Sequence, residues 1–470
     1  MNKFLLGSLL LSSVLQGAEA DWPQFRGPLG RGIPRVDKPL PDEVGPDKNV
    51  VWKIDVPPGH GSPVVAGDRI FLTAARDGKL LTLALDRNNG KTLWEVEAPY
   101  EKLEAIHRVG SHAQSSPATD GERVVSFFGS SGLHCYDIFG KPLWSHRMGP
   151  FNNDFGAGSS PIIVGDRVIL SQDHDTGSFV AAYDKVTGRE LWRTERAEFA
   201  RGYATPCVWE NDGKSQIVVA GALRAIGYDL ETGVEAWTVR GLARMMCVTP
   251  VTAEDGMLYL AGWSAGGDPG ERQTLEPFDQ IIAGLDKNSN GVIDEAEVTE
   301  GPLKSRFSQC DRDKSGTITR AEYEEFRGLF DKSQNVITAV RPGGRGDVSD
   351  SHVVWRQPRQ APFCASPLFL NNRLYTVKDG GIFGAVDTAS GKLLKTGRLT
   401  ATDDYYASPV AGDGKIYLAN EEGKVSVIQA GESWTILSTA EFGEGVHATP
   451  AIVDGRIYLR TNRRLYCFSR

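Results

Sequence analysis

Two stretches of the chain place oxygen-bearing side chains at the spacing a hard cation needs. In DKNSNGVIDEAE, residues 286–297, Asp286, Asn288, Asn290, Asp294 and Glu297 supply side-chain oxygens. In DRDKSGTITRAE, residues 311–322, the equivalents are Asp311, Asp313, Ser315, Thr319 and Glu322. The carbonyls of Val292 and Thr317 stand at the seventh position. Gly291 and Gly316 stand at the sixth, where the chain must turn sharply about an ion. Carboxylate, amide, hydroxyl and carbonyl oxygens together suit Ca2+ better than a softer transition metal. With only three carboxylates at the ligand positions of each segment, the expected affinity is modest, in the ~10⁻⁵ to 10⁻³ M range.

Both segments match the EF-hand loop, and Ile293 and Ile318 fill the apolar eighth position through which two such loops pair. The flanks read as helices. Phe278, Ile281, Ile282 and Leu285 follow helical spacing, as do Leu303, Phe307 and Cys310, and then Tyr323, Phe326 and Phe330. Residues 271–330 hold 13 acidic and 8 basic side chains, so most of the chain's net charge of -8 is concentrated here.

What positions this pair is a repeat. A Ser-Pro or Thr-Pro dipeptide recurs at Pro63, Pro117, Pro161, Pro206, Pro250, Pro367, Pro409 and Pro450. Each is followed by a β-rich hairpin such as VVAGDRIFLTAA, then a strand ending in Asp, a Gly turn and a Trp-bearing strand, as in LALDRNNGKTLWE and AYDKVTGRELWR. Four antiparallel strands at a period near 40 to 45 residues predict a β-propeller. The last repeat, ending RLYCFSR, lacks its Trp strand, and NVVWKIDV near the start supplies one. The expectation is an all-β, eight-bladed propeller closed by this N-terminal strand, with a small α-helical EF-hand insertion in blade five. Two blades depart from the pattern: Lys395 stands where a Trp is expected, and Trp434 sits in a degenerate turn.

Pro250 and Pro367 are 117 residues apart, whereas the other intervals run from 41 to 54. The chain of 470 residues therefore divides into a lead-in over 21–49, blades one to five over 50–264, the insertion over 265–334, and the remaining blades over 335–470. Residues 1–20 read as a cleavable export signal: Lys3, an apolar run and Ala18-Glu19-Ala20. A periplasmic or extracellular location is expected, with no membrane-spanning segment after cleavage. The acidic balance argues against nucleic acid as a partner.

The residue three before each repeat proline should begin an innermost strand and face the axial channel. Around the ring these are His60, Gln114, Gly158, Tyr203, Cys247, Cys364, Tyr406 and His447. Blades one and eight become neighbours on closure, so His60 and His447, with His112, are candidates for a metal or acid–base cluster. Tyr203 and Tyr406 complete the candidates for holding a ligand. Cys247 and Cys364 are the best-placed pair for a disulfide; buried free thiols are the expected state of most of the six cysteines.

The Asp-x-x-x-Gly-x-x-x-Trp turn resembles the repeat of pyrroloquinoline-quinone-type propellers, and DWPQFRGP, residues 21–28, is similar to the start of exported members. This resemblance implies either a quinoprotein dehydrogenase using the quinone with Ca2+, or a non-enzymatic scaffold of the kind that assists outer-membrane barrel assembly. The chain has neither a Cys-Cys dipeptide nor a Cys-x-x-Cys-His haem site. The leading expectation is a calcium-binding propeller acting as a binding or scaffold module, with an unidentified protein or small ligand at the channel mouth. The alternative is a pyrroloquinoline-quinone-dependent oxidoreductase.

Overall fold

Each Ser-Pro or Thr-Pro pair opens the innermost strand of a sheet of four antiparallel strands, and eight such blades follow one another along the chain; the fourth gains a fifth, parallel edge strand, Gly346–Asp347. The computed structural model describes residues 21–470 apart from positions 176, 269 and 302; the export signal read over residues 1–20 lies outside them. Proline suits the first position because an innermost strand entering from a loop has no ladder partner for that N–H. Second and third strands are almost wholly buried, as in Arg69–Arg76 and Lys79–Asp86, whereas outer strands such as Thr92–Ala98 alternate between exposed and half-buried. Hairpins close on left-handed pairs such as Asp413-Gly414 and Asp454-Gly455, all with positive φ.

The hydroxyl of each Ser/Thr-Pro pair has one task. It accepts the backbone N–H of the equivalent residue in the preceding position around the ring. Ser62 N–H donates to Ser116, Ser116 to Ser160, Ser160 to Thr205, and Thr205 to Thr249. Thr249 donates to Ser366, Ser366 to Ser408, Ser408 to Thr449, and Thr449 back to Ser62. The eight bonds, 2.9 to 3.3 Å long, form a closed circuit of fully buried groups.

The eighth sheet combines Ala451–Val453, Arg456–Arg460 and Arg464–Ser469 with Val50–Asp55, whose Trp52 lies opposite Cys467 and Ile54 opposite Leu465. Farther from the axis, Trp residues of the outer strands reach the turn of the next blade, except Trp237, which donates to Gln216 of its own sheet. Trp94 donates to Ile138 O at 3.0 Å, Trp144 to Lys185 O at 3.1 Å and Trp192 to Leu230 O at 3.0 Å. Each indole lies on the turn glycine: a Cβ on Gly188 would come within 2.7 Å of Trp144, which is why that position excludes larger residues. Where Lys395 replaces Trp, its ammonium donates to Trp434 O at 2.6 Å and lies 4.4 Å from that ring's centroid.

The lead-in does more than precede the ring. Trp22 pairs with Val65, Pro23 O accepts from Thr119 N–H, Arg26 donates to Pro367 O, and Gly32 O accepts from Ala411 N–H. Those partners lie in, or just before, the innermost strands of blades one, two, six and seven. The segment therefore crosses the axis and closes one end of the channel.

The insertion lies between the second and third strands of the fifth sheet, Leu258–Gly262 and Val336–Val340. It holds three helices, α1 (Phe278–Leu285), α2 (Phe307–Cys310) and α3 (Arg320–Lys332), around a separate apolar cluster that includes Phe278, Phe307, Phe326 and Phe330.

Removing one hydroxyl from the circuit strands a buried N–H. Ser408→Ala, which orphans Ser366 N–H, should lower stability by about 1–3 kcal/mol. Ser408→Thr keeps the acceptor, as three natural threonines in the ring do, and should cost less. Urea unfolding of the two variants checks both; equal losses would refute the role assigned to the hydroxyl.

Candidate functional site

The upstream ends of the innermost strands enclose a cavity of about 210 Å³ on the axis. All eight residues placed three before a repeat proline line it, from His60 around to His447. Phe25 of the lead-in also lines it, so the channel is a blind pocket closed from the far side. Phe155, Met245 and Phe363 add apolar wall.

The rings of His60 and His447 stack at 4.0 Å with 4° between planes, and Tyr406 stacks on His447 at 5.3 Å. His447 Nδ1 lies 3.2 Å from Asn462 Oδ1, and Nε2 lies 3.9 Å from Glu421. Burial lowers both imidazoles; His60 is held down at about 3, with His447 and Arg460 adding to the effect. Both rings are therefore neutral at physiological pH, serving as hydrogen-bonding groups rather than cations. Arg460, fully buried, donates to the carbonyls of Pro57, Gly61 and Thr73 and so fixes the loop that presents His60. Tyr203 donates to Asn153 Oδ1 at 2.8 Å, and burial raises its phenol well above the usual range.

His112 does not join this cluster. Its Nε2 is engaged by Glu104 O at 2.9 Å, which turns the ring away from the cavity, and His112 is not among the lining residues. The wall near Tyr406 is acidic instead. Burial, then Asp404 and Glu421, raise the Asp379 carboxyl to about 6.

The insertion stands on the same rim, and none of its described residues lines the cavity. Its two loops join through a short antiparallel bridge, Ile293 opposite Ile318. In the first loop, Asp286 accepts the N–H groups of Asn290 and Gly291, Glu297 accepts those of Lys287 and Asp294, and Asp294 receives both the Asn288 and Asn290 amides. In the second, Asp311 accepts from Ser315 and Gly316, and Glu322 from Arg312 and Thr319. The carboxylates of Asp311, Asp313 and Glu322 offer oxygens within 4.8 Å of one another. Gly291 and Gly316 adopt φ of +84° and +85°, the sharp turn expected at the sixth position. The donors gathered here are all oxygens, the chemistry Ca2+ selects.

Residues between the ligand positions of the second loop make the connection to the propeller. Arg312 donates to Asp175 O at 3.1 Å and Ala197 O at 3.0 Å, and Lys314 pairs with Asp175 at 3.1 Å. Asp175 also takes the fork of Arg201, which reaches Asp154 at 2.8 Å and Ser308 O at 3.2 Å. Arg201 is two residues from Tyr203 in the cavity wall. Periodicity carries no signal for this cluster, because its members come from three distant parts of the chain.

The neutral His60 has a pH consequence. Its unfolded imidazole titrates near 6.5 and the folded one near 3. Its contribution to stability is complete above about 6.5 and is lost as pH falls toward about 3. Asp379, raised from 3.8 to about 6, acts in the opposite sense, losing its contribution as pH rises through that range. His60→Gln should therefore shrink the wild-type loss of stability between about pH 7 and 4.5 by roughly 1–3 kcal/mol. Urea unfolding at both values measures this, and an unchanged difference would contradict the buried neutral state.

Comparison with known proteins places the fold in a lineage. The family described as outer membrane protein assembly factor BamB matches over residues 45–153, 133–323 and 279–470. The protein of that name from Burkholderia pseudomallei is 28% identical over 134 residues, 28% of this chain and 32% of the relative, so this match spans about a third of its length. The Moranella endobia counterpart is 23% identical over 309 residues, 61% of this chain and 69% of the relative. Among solved structures, a europium-containing methanol dehydrogenase superposes with a TM-score of 0.57 at 10% identity, covering 97% of this chain and 99% of its own, a likeness of fold alone. By the extent of the family match, this chain belongs to the BamB family of outer membrane protein assembly factors.

Proposed function

We propose that the protein is an exported binding or scaffold module whose propeller presents the blind cavity and its rim to a ligand, and whose EF-hand pair binds two Ca2+ ions. The observation that carries this reading is the docking of the second loop. Asp311, Asp313, Ser315 and Glu322 alternate with Arg312 and Lys314, so the ion's ligands and the anchors to Asp175 share one turn of chain. Occupancy of that loop would set the anchors, and through Arg201 the wall beside Tyr203. The first loop would bind through Asp286, Asn288, Asn290, Val292 O, Asp294 and Glu297, and the second adds Thr317 O and Thr319. The family's name supports a role in assembling other proteins, with a polypeptide as the partner, in the periplasm or outside the cell. The N-terminal strand Val50–Asp55 fits this reading as the element that closes the ring.

The oxidoreductase alternative is less well supported. Pyrroloquinoline quinone is a polycarboxylate, and a site for it needs cations facing the ligand. No Lys or Arg is among the residues lining the cavity, and Asp379, Asp404 and Glu421 make the adjacent rim acidic. The residues present do not fit that group.

Calorimetric titration of the metal-free protein should give two Ca2+ per chain. Glu322→Gln and Glu297→Gln should each remove one site, and the double variant both. Ca2+ should also slow proteolysis within residues 263–335 in the wild type. Absence of Ca2+ binding at millimolar concentration would sink this reading.

A further inference from the structure

Six cysteines are present, and four are sealed away. Cys135, Cys207, Cys310 and Cys467 are buried in apolar clusters, and burial pushes each thiol up to about 11 or 12. Cys247 and Cys364 differ: both are partly exposed, and both line the axial cavity. We propose that these two form a reactive dithiol, open to the channel, that exchanges with an incoming disulfide and closes into a bond between blades five and six.

Three observations converge on the pair. The two cysteines hold the same place in their repeats, three residues before Pro250 and Pro367. Two residues farther along, Thr249 N–H donates to Ser366 Oγ at 3.1 Å, which holds the two innermost strands together at this level. Both thiols line the same cavity from adjacent blades, and Cys247 is the nearest group acting on the Cys364 thiol. A disulfide needs Cα atoms within ~7 Å and converging side chains. The amide-to-hydroxyl bond two residues downstream pins the two strands together and brings these equivalent positions toward that condition. Met245, Phe363 and Tyr406 line the same cavity.

The chemistry balances with one external reactant, a disulfide R–S–S–R′ of low molecular weight or on a protein. Cys247 as thiolate attacks one sulfur, forming Cys247–S–S–R and expelling R′–S⁻, which takes up a proton. Cys364 then gives up its proton, attacks the Cys247 sulfur and expels R–S⁻, which is protonated in turn. Two thiols are oxidised, one disulfide is reduced, and two molecules of thiol leave. The neighbouring Cys247, and then burial, hold the Cys364 thiol above its ordinary range, which favours Cys247 as the first to attack. The product closes the loop that contains the whole insertion, tying the blade that carries it to its neighbour. This inference is independent of calcium and of the partner's identity.

Reduced full-length protein is incubated with glutathione disulfide, quenched with acid, alkylated and mapped by non-reducing peptide mass spectrometry. The expected product joins Cys247 to Cys364, with the other four thiols alkylated only after unfolding. Cys364→Ser should stop at a mixed disulfide on Cys247, and Cys247→Ser should react about tenfold more slowly or less. Oxidised wild type should melt at a higher temperature than reduced, and a reducing dithiol should reverse the shift. Glutathione remaining on either cysteine of the wild type, a different cross-link, or no reaction while both thiols stay alkylatable would overturn the proposal. Should a variant fail to fold, the wild-type peptide map decides alone.

Discussion

The closed circuit of eight hydroxyl-to-amide hydrogen bonds is the constraint on which the rest of this structure depends. Innermost strands of neighbouring blades diverge, so a backbone ladder cannot join them. A Ser or Thr side chain spans the gap, and the proline after it fixes the chain direction without leaving an unpaired donor. Because all eight bonds run the same way, each hydroxyl both anchors one neighbour and belongs to a residue anchored by the next. Bonds arranged head to tail in a low-dielectric core reinforce one another. The circuit also sets geometry. It holds the residues two positions upstream at a common height, and those residues become the cavity wall. The site is thus a by-product of closure: the same repeat that closes the ring arranges eight side chains around its mouth.

Much of this was legible in the chain because the repeat is strict. Ser/Thr-Pro spacing placed every innermost strand, and counting back three residues found the cavity wall from His60 to His447. The glycine–indole turns were legible for the same reason. What periodicity could not carry is contact between unlike segments. The lead-in crossing the axis, with Phe25 lining the pocket, is a property of one non-repeated stretch whose partners lie in blades far apart in sequence. His112 shows the converse error. It lies near the ring in sequence, but a local bond to Glu104 O decides where its imidazole points. The insertion's place was readable from strand order, yet its tilt toward blades three and four follows from Arg312, Lys314, Asp175 and Arg201, whose complementarity appears only in three dimensions.

The family assignment constrains fold more than activity. One ring supports both assembly factors and dehydrogenases, because the repeat pays no attention to what lines the mouth. In this chain the wall combines two stacked neutral imidazoles, two tyrosines and two thiols above an aromatic floor, beside an acidic rim. That composition favours a neutral or cationic group entering from the insertion side and disfavours a polyanion.

Electrostatics is what supports the proposed ion sites in the insertion. Among the described residues, none of the six ligand-position carboxylates, Asp286, Asp294, Glu297, Asp311, Asp313 and Glu322, is ion-paired with a basic side chain. The cations within the second loop point away. Arg312 pairs with Glu325 and reaches blade carbonyls, and Lys314 goes to Asp175. Backbone N–H groups satisfy part of each carboxylate, which fixes the loop's shape but adds no net charge. Like charges held at such distances repel by an amount that ordinary screening reduces but does not remove. A loop that commits Arg312 and Lys314 to docking and leaves its anions without a basic partner gains from a cation bound among them, as proposed. The partition of charge along 311–322, anions inward and cations outward to the propeller, is therefore the physical reason to read the loop as a metal site rather than a spacer.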